Sequence, residues 1–392
     1  MATLLKASTK KISIADLVDQ AEKAVHMVSE IRTTMLAPSK TKEAPLFTLT
    51  QLAALCGLDK GQLSYRLAKE DLPSGTLNAT GSRREFSLAE VRQWIRSYRE
   101  SHLRPKDGRA ITIAVGNFKG GVSKTTTAMT LAQGLTLRGH RVLVVDMDPQ
   151  GSLTTLFGVL PDTDVDEEQT FSVLATGDES SIRPCIQRTY WDGLDLVAAA
   201  PALFTAEFVL PARQMKDPSF QFWDVLNVGL EDVREEYDVI IIDTAPSLSY
   251  LTINAFMAAD GLIVPLPPNA LDFASSAQFW SLFSDLASNL VETVGLSKSY
   301  EFIHVLLARV DASDVAGSVV RTWISATYAE KVLPVEIPKT SVTSASAAEF
   351  GTVYDISRYD GNLKTYKRAR DAYDRFVDLV EQSVQAAWGR ND

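Results

Sequence analysis

The 392 residues predict an α/β architecture, a doubly wound and mostly parallel sheet preceded by an N-terminal helix and a winged helix-turn-helix domain. Three observations carry this. From Pro105 onward, short runs that are apolar throughout, among them ITIAVG, RVLVVD, DVIIID, GLIVPLPP, FIHVLLARV and KVLPVEIP, alternate with helical stretches, the pattern of parallel strands buried on both faces. Before them, residues 48–69 hold two short helical patterns around Gly57, followed by a hairpin-like LNATGSRREFSL and a further helix, LAEVRQWIRSYRE. At the front, residues 12–36 place Ile14, Leu17, Val18, Ala21, Val25, Val28, Ile31 and Met35 at spacings of three and four.

Composition sets the outer bounds. With 45% hydrophobic and 22% charged residues the chain can build sizeable cores, which excludes disordered, collagen-like and disulfide-stapled classes. No apolar run approaches the ~20 residues that span a bilayer, and the N-terminal MATLLKASTKKISIADLVDQAEK lacks the compact apolar stretch of a signal peptide. A cytoplasmic protein without a membrane partner is expected. Cys56 and Cys185 stand far apart with no Cys or His at ligand spacing, so both read as small buried hydrophobes. His26, His102, His140 and His304 are isolated and read as surface or packing residues.

Residues 1–37 form the first segment. Their amphipathic helix stands ahead of any core and needs a partner for its apolar stripe, for which a second copy of the chain is the simplest candidate. The proline-bearing linker APSKTKEAP ends it. Residues 45–105 form the second segment, the winged helix-turn-helix. Leu52, Ala53 and Cys56 face inward, Gly57 turns the chain, and Leu63 and Leu67 anchor the second helix. That leaves Lys60, Gln62, Ser64, Tyr65 and Arg66 outside, residue types that read base edges or hold phosphates, while Arg83 and Arg84 give the hairpin a basic tip. Charge agrees. Residues 1–110 carry 18 Lys and Arg against 12 Asp and Glu, although the whole chain is −10. A basic front on an acidic body points the front at a polyanion such as DNA.

Residues 108–392 form the third segment, and its strongest chemical signal lies between ITIAVG and a helix opening at Thr125–Thr127. There Gly116-Asn117-Phe118-Lys119-Gly120-Gly121-Val122-Ser123-Lys124-Thr125 has the strand–loop–helix context of a phosphate loop. Lys119, Gly120, Gly121, Val122, Ser123, Lys124, Thr125 and Thr126 are the expected nucleotide-binding set. Their backbone N–H groups face the phosphates at a helix N-terminus, Lys124 adds a point charge, and the Thr125 hydroxyl is a Mg²⁺ ligand. The loop departs from G-x-x-x-x-G-K-[ST], with Phe118 at the first glycine position and Ser123 at the second. Asp146 and Asp148 close RVLVVDMD and Asp243 closes DVIIID, so all three carboxylates should converge on the loop from the carboxyl ends of their strands. Asp243 is expected to hold Mg²⁺ through water, Asp146 to support the metal shell or a switch, and Asp148 to reach the attacking water.

These motifs resemble the deviant Walker A ATPases of the ParA/MinD type, most closely the plasmid-partition ParA proteins with an N-terminal DNA-binding region. The resemblance runs over residues 110–390 and is carried by KGGVSKTTTAMTLAQGLTLRGHRVLVVDMDPQGSLTTLFG, YDVIIIDTAPSLSYLTINAFMAAD and EIPKTSVTSASAAEFGTVYDIS. It implies a P-loop NTPase fold and slow hydrolysis of ATP to ADP with Mg²⁺, with Lys119, Lys124 and Asp148 in catalytic roles. Lys119 would be the signature lysine that reaches the phosphates of the other subunit in a nucleotide-sandwich homodimer. Two lysines five residues apart on one tight loop repel each other, which gives that division of labour a physical basis. The guanine signature [NT]-K-x-D is absent, favouring ATP over GTP.

The same resemblance implies DNA partition on the nucleoid. It brings non-specific DNA binding in the ATP state, stimulation by a ParB-type centromere-binding protein, and autoregulation at an operator. Lys364, Lys367 and Arg368, on one side of a C-terminal helix, are the residues for the non-specific contact. The competing reading is a transcription regulator in which ATP or ADP is only a conformational ligand. A membrane-recruited, MinD-like role is disfavoured because the amphipathic DRFVDLVEQSVQAAW is acidic and anionic lipid would repel it.

Overall fold

The computed structural model describes residues 11–36, 41–69, 71–293, 295, 297–340, 351–356 and 361–389. Of the stretches singled out above, residues 1–10, residues 37–40 of the linker, and the SVTSASAAEF portion and final Ser357 of the C-terminal motif lie outside them. The chain forms two compact units, Met1–Lys42 and Glu43–Asp392. The first holds helix α1 (Ile14–Leu36), opened by Asp16, whose carboxylate accepts from the Ser13 backbone N–H at 2.7 Å. Among the described side chains of its stripe, Ile14 is 77% and Leu17 52% exposed.

The second unit starts with β1 (Phe47–Thr48), α2 (Leu49–Cys56), α3 (Lys60–Leu67), β2 (Thr76–Leu77), β3 (Arg84–Phe86) and α4 (Leu88–Tyr98). Thr48 with Gln51, and Asp59 with Gln62, make reciprocal capping boxes that start α2 and α3. Gly57 ends α2 at φ 66°, a left-handed angle that a Cβ would oppose. Leu52, Ala53, Cys56 and Leu63 are buried as the pattern predicts. The short strands pair antiparallel in the order β1-β3-β2.

Next come β4 (Ile111–Val115), α5 (Lys124–Thr136), β5 (Val142–Met147), α6 (Ser152–Leu156), α7 (Ser172–Thr176), β6 (Gln187–Arg188), β7 (Leu194–Val197), α8 (Ala206–Lys216) and α9 (Val225–Leu230). They are followed by β8 (Val239–Thr244), α10 (Tyr250–Ala258), β9 (Gly261–Leu266), α11 (Ala270–Thr293), β10 (Phe302–Val310), α12 (Val315–Tyr328), β11 (Val332–Pro338) and α13 (Leu363–Trp388). The eight-stranded sheet has the order β11-β10-β9-β4-β8-β5-β7-β6 and is parallel except for the β6–β7 edge. Alternate residues face opposite sides, as the period of two requires. Ile111, Ile113, Val142, Val144, Val239 and Ile241 join the core under α5 and α13, whereas Ala114, Leu143, Val145, Ile240 and Ile242 join the core under α8–α11.

The sequence separates a front domain at 45–105 from a body at 108–392, but the packing is continuous across that border. Leu52, Leu63, Phe86 and Trp94 belong to the same hydrophobic cluster as Leu135, Val377 and Val384. His140, read as isolated, is buried with its Nε2 2.8 Å from the Glu381 carboxylate on α13.

Candidate active site

The carboxyl ends of β4, β5 and β8 lie side by side, and Asp146 and Asp243 are register partners across the β5–β8 pair. The chain leaves β4 through Gly116, where a Cβ would come within 2.3 Å of the Phe256 ring, so only glycine passes. Phe118 packs edge-on against Phe279 at 4.5 Å, turning the loop's apolar residue inward. Gly121 and Ser123 both take left-handed angles, φ 73° and 75°. For Ser123 that conformation costs roughly 1–2 kcal/mol, strain of the kind functional loops retain.

α5 begins at Lys124. Its side chain is buried, and Nζ donates to the Lys119 carbonyl at 3.0 Å. Burial pushes the Lys124 ammonium below its ordinary pKa, against the pull of Asp243 and Asp148. Lys119 points elsewhere, with Nζ 2.6 Å from Oδ1 of Asp272 in the first turn of α11. The sequence reading missed Asp272; its one local signal is the Asn269 side chain, which accepts the Asp272 N–H at 2.9 Å.

The three strand-end carboxylates differ in their surroundings. Asp243 is fully buried and neither oxygen has a hydrogen-bond partner of good geometry, although the Thr125 hydroxyl lies beside it. Burial, reinforced by Asp146, pushes its carboxyl well above the usual range. Asp146 is as deep but satisfied. Oδ2 accepts from the Thr154 N–H at 2.9 Å and hydroxyl at 2.7 Å, and Oδ1 from the Asp148 N–H at 3.2 Å. Its carboxyl is nonetheless pushed up to about 7 by burial. Asp148 accepts the Gln150 N–H at 3.0 Å.

An orphaned buried carboxylate beside a threonine hydroxyl suits a hard divalent cation, so Thr125 and Asp243 fit Mg²⁺. Asp146 is held by Thr154 and the Asp148 N–H, which suits it to a supporting place beside the metal shell. Among the described residues no cluster of three His, Cys, Asp or Glu would hold a metal alone, so phosphate and water oxygens must complete the shell.

The front residues divide as well. Lys60, Ser64, Tyr65 and Arg83 are exposed. Gln62 instead accepts the Asp59 N–H at 3.0 Å, Arg66 pairs with Asp71 at 2.7 Å, and the Arg84 guanidinium donates to the Ser74 carbonyl. Arg84 also lies in β3 rather than at the hairpin tip. Gln62 and Arg84 are exposed as well, but each of these three side chains has a partner within twelve residues. Lys364, Lys367 and Arg368 are all exposed on α13.

Residues 110–295 match the family described as AAA domain. The chain is 30% identical over 404 residues to a putative replication protein A of Rhizobium rhizogenes, covering 99% of each. It is 34% identical over 244 residues to the chromosome-partitioning ATPase Soj of Thermus thermophilus, covering 61% of this chain and 85% of that one. A solved structure of a partition protein shares the fold over 95% of this chain and 98% of its own, with TM-score 0.66 at 18% identity. Cobyrinic acid a,c-diamide synthase from Mycobacterium smegmatis with bound ATP analog and magnesium matches at 29% identity and TM-score 0.53, over 69% of this chain and 94% of that one. With its phosphate loop on β4 and its carboxylates on β5 and β8, the chain belongs to the ParA/MinD-type family of P-loop ATPases.

Proposed function

We propose that this ATPase drives DNA partition as a nucleotide-sandwich homodimer, with Lys119 of each subunit serving the other's triphosphate. The observation that carries the reading is the divergence of the two loop lysines. Lys124 turns into its own loop, while Lys119 is held outside it by Asp272. The backbone N–H groups of Gly120–Thr126 would face the phosphates, and Lys124 would exchange the Lys119 carbonyl for phosphate oxygen. Thr125 and Asp243 would hold Mg²⁺, which when bound neutralises charge on the phosphate oxygens. Asp148, next to Asp243 and Lys124 in the electrostatics of the site, would orient the attacking water. Closure around the γ-phosphate makes hydrolysis the signal that releases the dimer.

The basic front would bind an operator through Lys60, Ser64, Tyr65 and Arg83, with Gln62, Arg66 and Arg84 supporting that surface. Lys364, Lys367 and Arg368 would hold bulk DNA in the ATP state, placing the protein on the nucleoid. α1 would pair with its copy in a second subunit, and a ParB-type protein would accelerate turnover. One titration tests this. DNA retention is measured with ADP, ATP or a non-hydrolysable analogue, on operator and random duplex, across salt, beside phosphate release with and without the ParB-type partner. Nucleotide-dependent affinity with partner-stimulated release is expected. Absence of release in both cases would leave only the regulator that uses nucleotide as a ligand.

A further inference from the structure

Asn117 is 1% exposed, and both ends of its amide are used. Nδ2 donates to the Pro265 carbonyl at 3.0 Å, and Oδ1 accepts from the Lys119 backbone N–H at 3.1 Å. The two partners fix the amide's orientation, since a carbonyl takes only the NH₂ and an N–H only the oxygen. β4 pairs with β9 as far as Val115 and Ile263. The Asn117 side chain adds one more rung to Pro265, after the main chain of β4 has left the sheet.

β9 then runs into Asn269, which accepts the N–H of Asp272, and Asp272 holds the Lys119 ammonium at 2.6 Å. Lys119 is therefore tied to a single segment, residues 265–272, at both ends: its main chain through Asn117 and its side chain through Asp272. Its N–H is taken by Asn117 and its carbonyl by Lys124. When Lys124 turns to phosphate it releases that carbonyl, while the Asn117 bond still holds the main chain and the ammonium is the group that reaches a triphosphate.

We propose that Asn117 is a positioning residue for Lys119, fixing the point from which the lysine side chain leaves the loop so that its ammonium can pass from Asp272 to a triphosphate. The inference rests on the ATPase reading above. Asn117 acts through Lys119, since both ends of its amide are bonded to protein.

The test compares wild type, Asn117→Ala, Lys119→Ala and the double variant, measuring affinity for ADP and for a non-hydrolysable ATP analogue, with phosphate release alongside. Asn117→Ala should slow release by about 10- to 100-fold, the cost of a small misplacement of a reacting group. Its ADP affinity should stay within about threefold of wild type, and its analogue-over-ADP preference should fall to that of Lys119→Ala. The double variant should show the same preference as Lys119→Ala, because the two residues act in one interaction. Asn117→Ser, which retains a short acceptor, guards against misfolding and should bind ADP as wild type does while losing part of the preference.

ADP affinity that falls in step with turnover, or losses of preference that multiply in the double variant, overturn the positioning role. Wild-type turnover in an Asn117→Ala protein overturns it too, with the ATPase reading intact. Absence of phosphate release from wild type sinks that reading and takes this inference with it.

Discussion

The two ends of α5 are built on opposite principles. At its C-terminal end, α4 supplies cations to the helix's last carbonyl and the turn beyond, and α13 supplies carboxylates. Arg92 Nε donates to the Thr136 carbonyl at 3.2 Å and Nη2 to the His140 carbonyl at 2.8 Å, while Nη1 meets Asp192 at 2.7 Å. Arg96 donates to the Gly139 carbonyl. Arg138 meets Asp378 at 2.8 Å, and Glu381 collects Arg99 at 2.7 Å and His140 at 2.8 Å. Cations at a helix C-terminus also suit its dipole. At the N-terminal end the same helix faces a strained Ser123, an orphaned Asp243 and two lysines on provisional partners. One end spends polar groups on rigidity; the other leaves them unsatisfied for a ligand to complete.

Four experiments break or sharpen this contrast. The largest effect on nucleotide affinity belongs to Lys124→Ala, which should weaken ADP binding by about 10²- to 10³-fold, the scale of truncating one partner of a buried charge pair, as read by fluorescent-nucleotide titration. Glu381→Gln attacks the rigid end. Breaking a buried pair by removing one partner costs about 3–5 kcal/mol, so the urea midpoint should drop sharply. Asp243→Asn attacks the other end with the opposite sign. Without nucleotide it should raise the urea midpoint, because an amide carries no charge to be stripped of water, while abolishing any Mg²⁺-dependent rise in the melting temperature with ADP. The smallest effect is on DNA. Removing Lys364, Lys367 and Arg368 together should lower the salt slope for random duplex by up to ~0.9 for each phosphate left unneutralised without moving ADP affinity.

Acid separates the two ends further. Burial pulls the Glu381 carboxyl up, but its bond to His140 and the charges of His140, Arg99 and Arg138 outweigh it and hold it below the usual range. Its contribution is therefore complete above the unfolded pKa of ~4.3 and is lost as pH falls through the lower folded value. The Asp243 carboxyl is raised by burial and then by Asp146, so its ionisation costs stability. That cost is absent below the unfolded pKa of ~3.9 and grows as pH rises toward the folded one. Stability curves against pH should thus show both substitutions losing their effect in acid, Glu381→Gln its deficit and Asp243→Asn its gain.

Much of the phosphate end was legible because its parts are contiguous or sit at strand ends. The loop is ten consecutive residues, and Asp146, Asp148 and Asp243 close apolar runs whose direction in a parallel sheet is fixed. Asp272 and the Pro265 carbonyl escaped because they meet Lys119 and Asn117 from about 150 residues away, with no periodicity to mark them. The C-terminal end of α5 was opaque for the same reason, since His140 finds Glu381 across 241 positions. β7 escaped on another ground: Asp195 breaks its apolar run, and the Tyr237 hydroxyl at 2.8 Å with the Arg188 guanidinium at 3.4 Å lets that carboxylate be buried.

The sequence alone determined the parallel sheet, the phosphate loop and the acidic strand ends, because local periodicity and contiguous backbone chemistry encode them. Only the tertiary structure decided which charged side chains are committed and which are free. It gave Lys119 to Asp272, Arg138 to Asp378 and Arg99 to Glu381, and left both Asp243 oxygens without a hydrogen bond of good geometry. A charge's role depends on what burial strips from it and what neighbour replaces the water, and that neighbour is set by packing between segments distant in the chain.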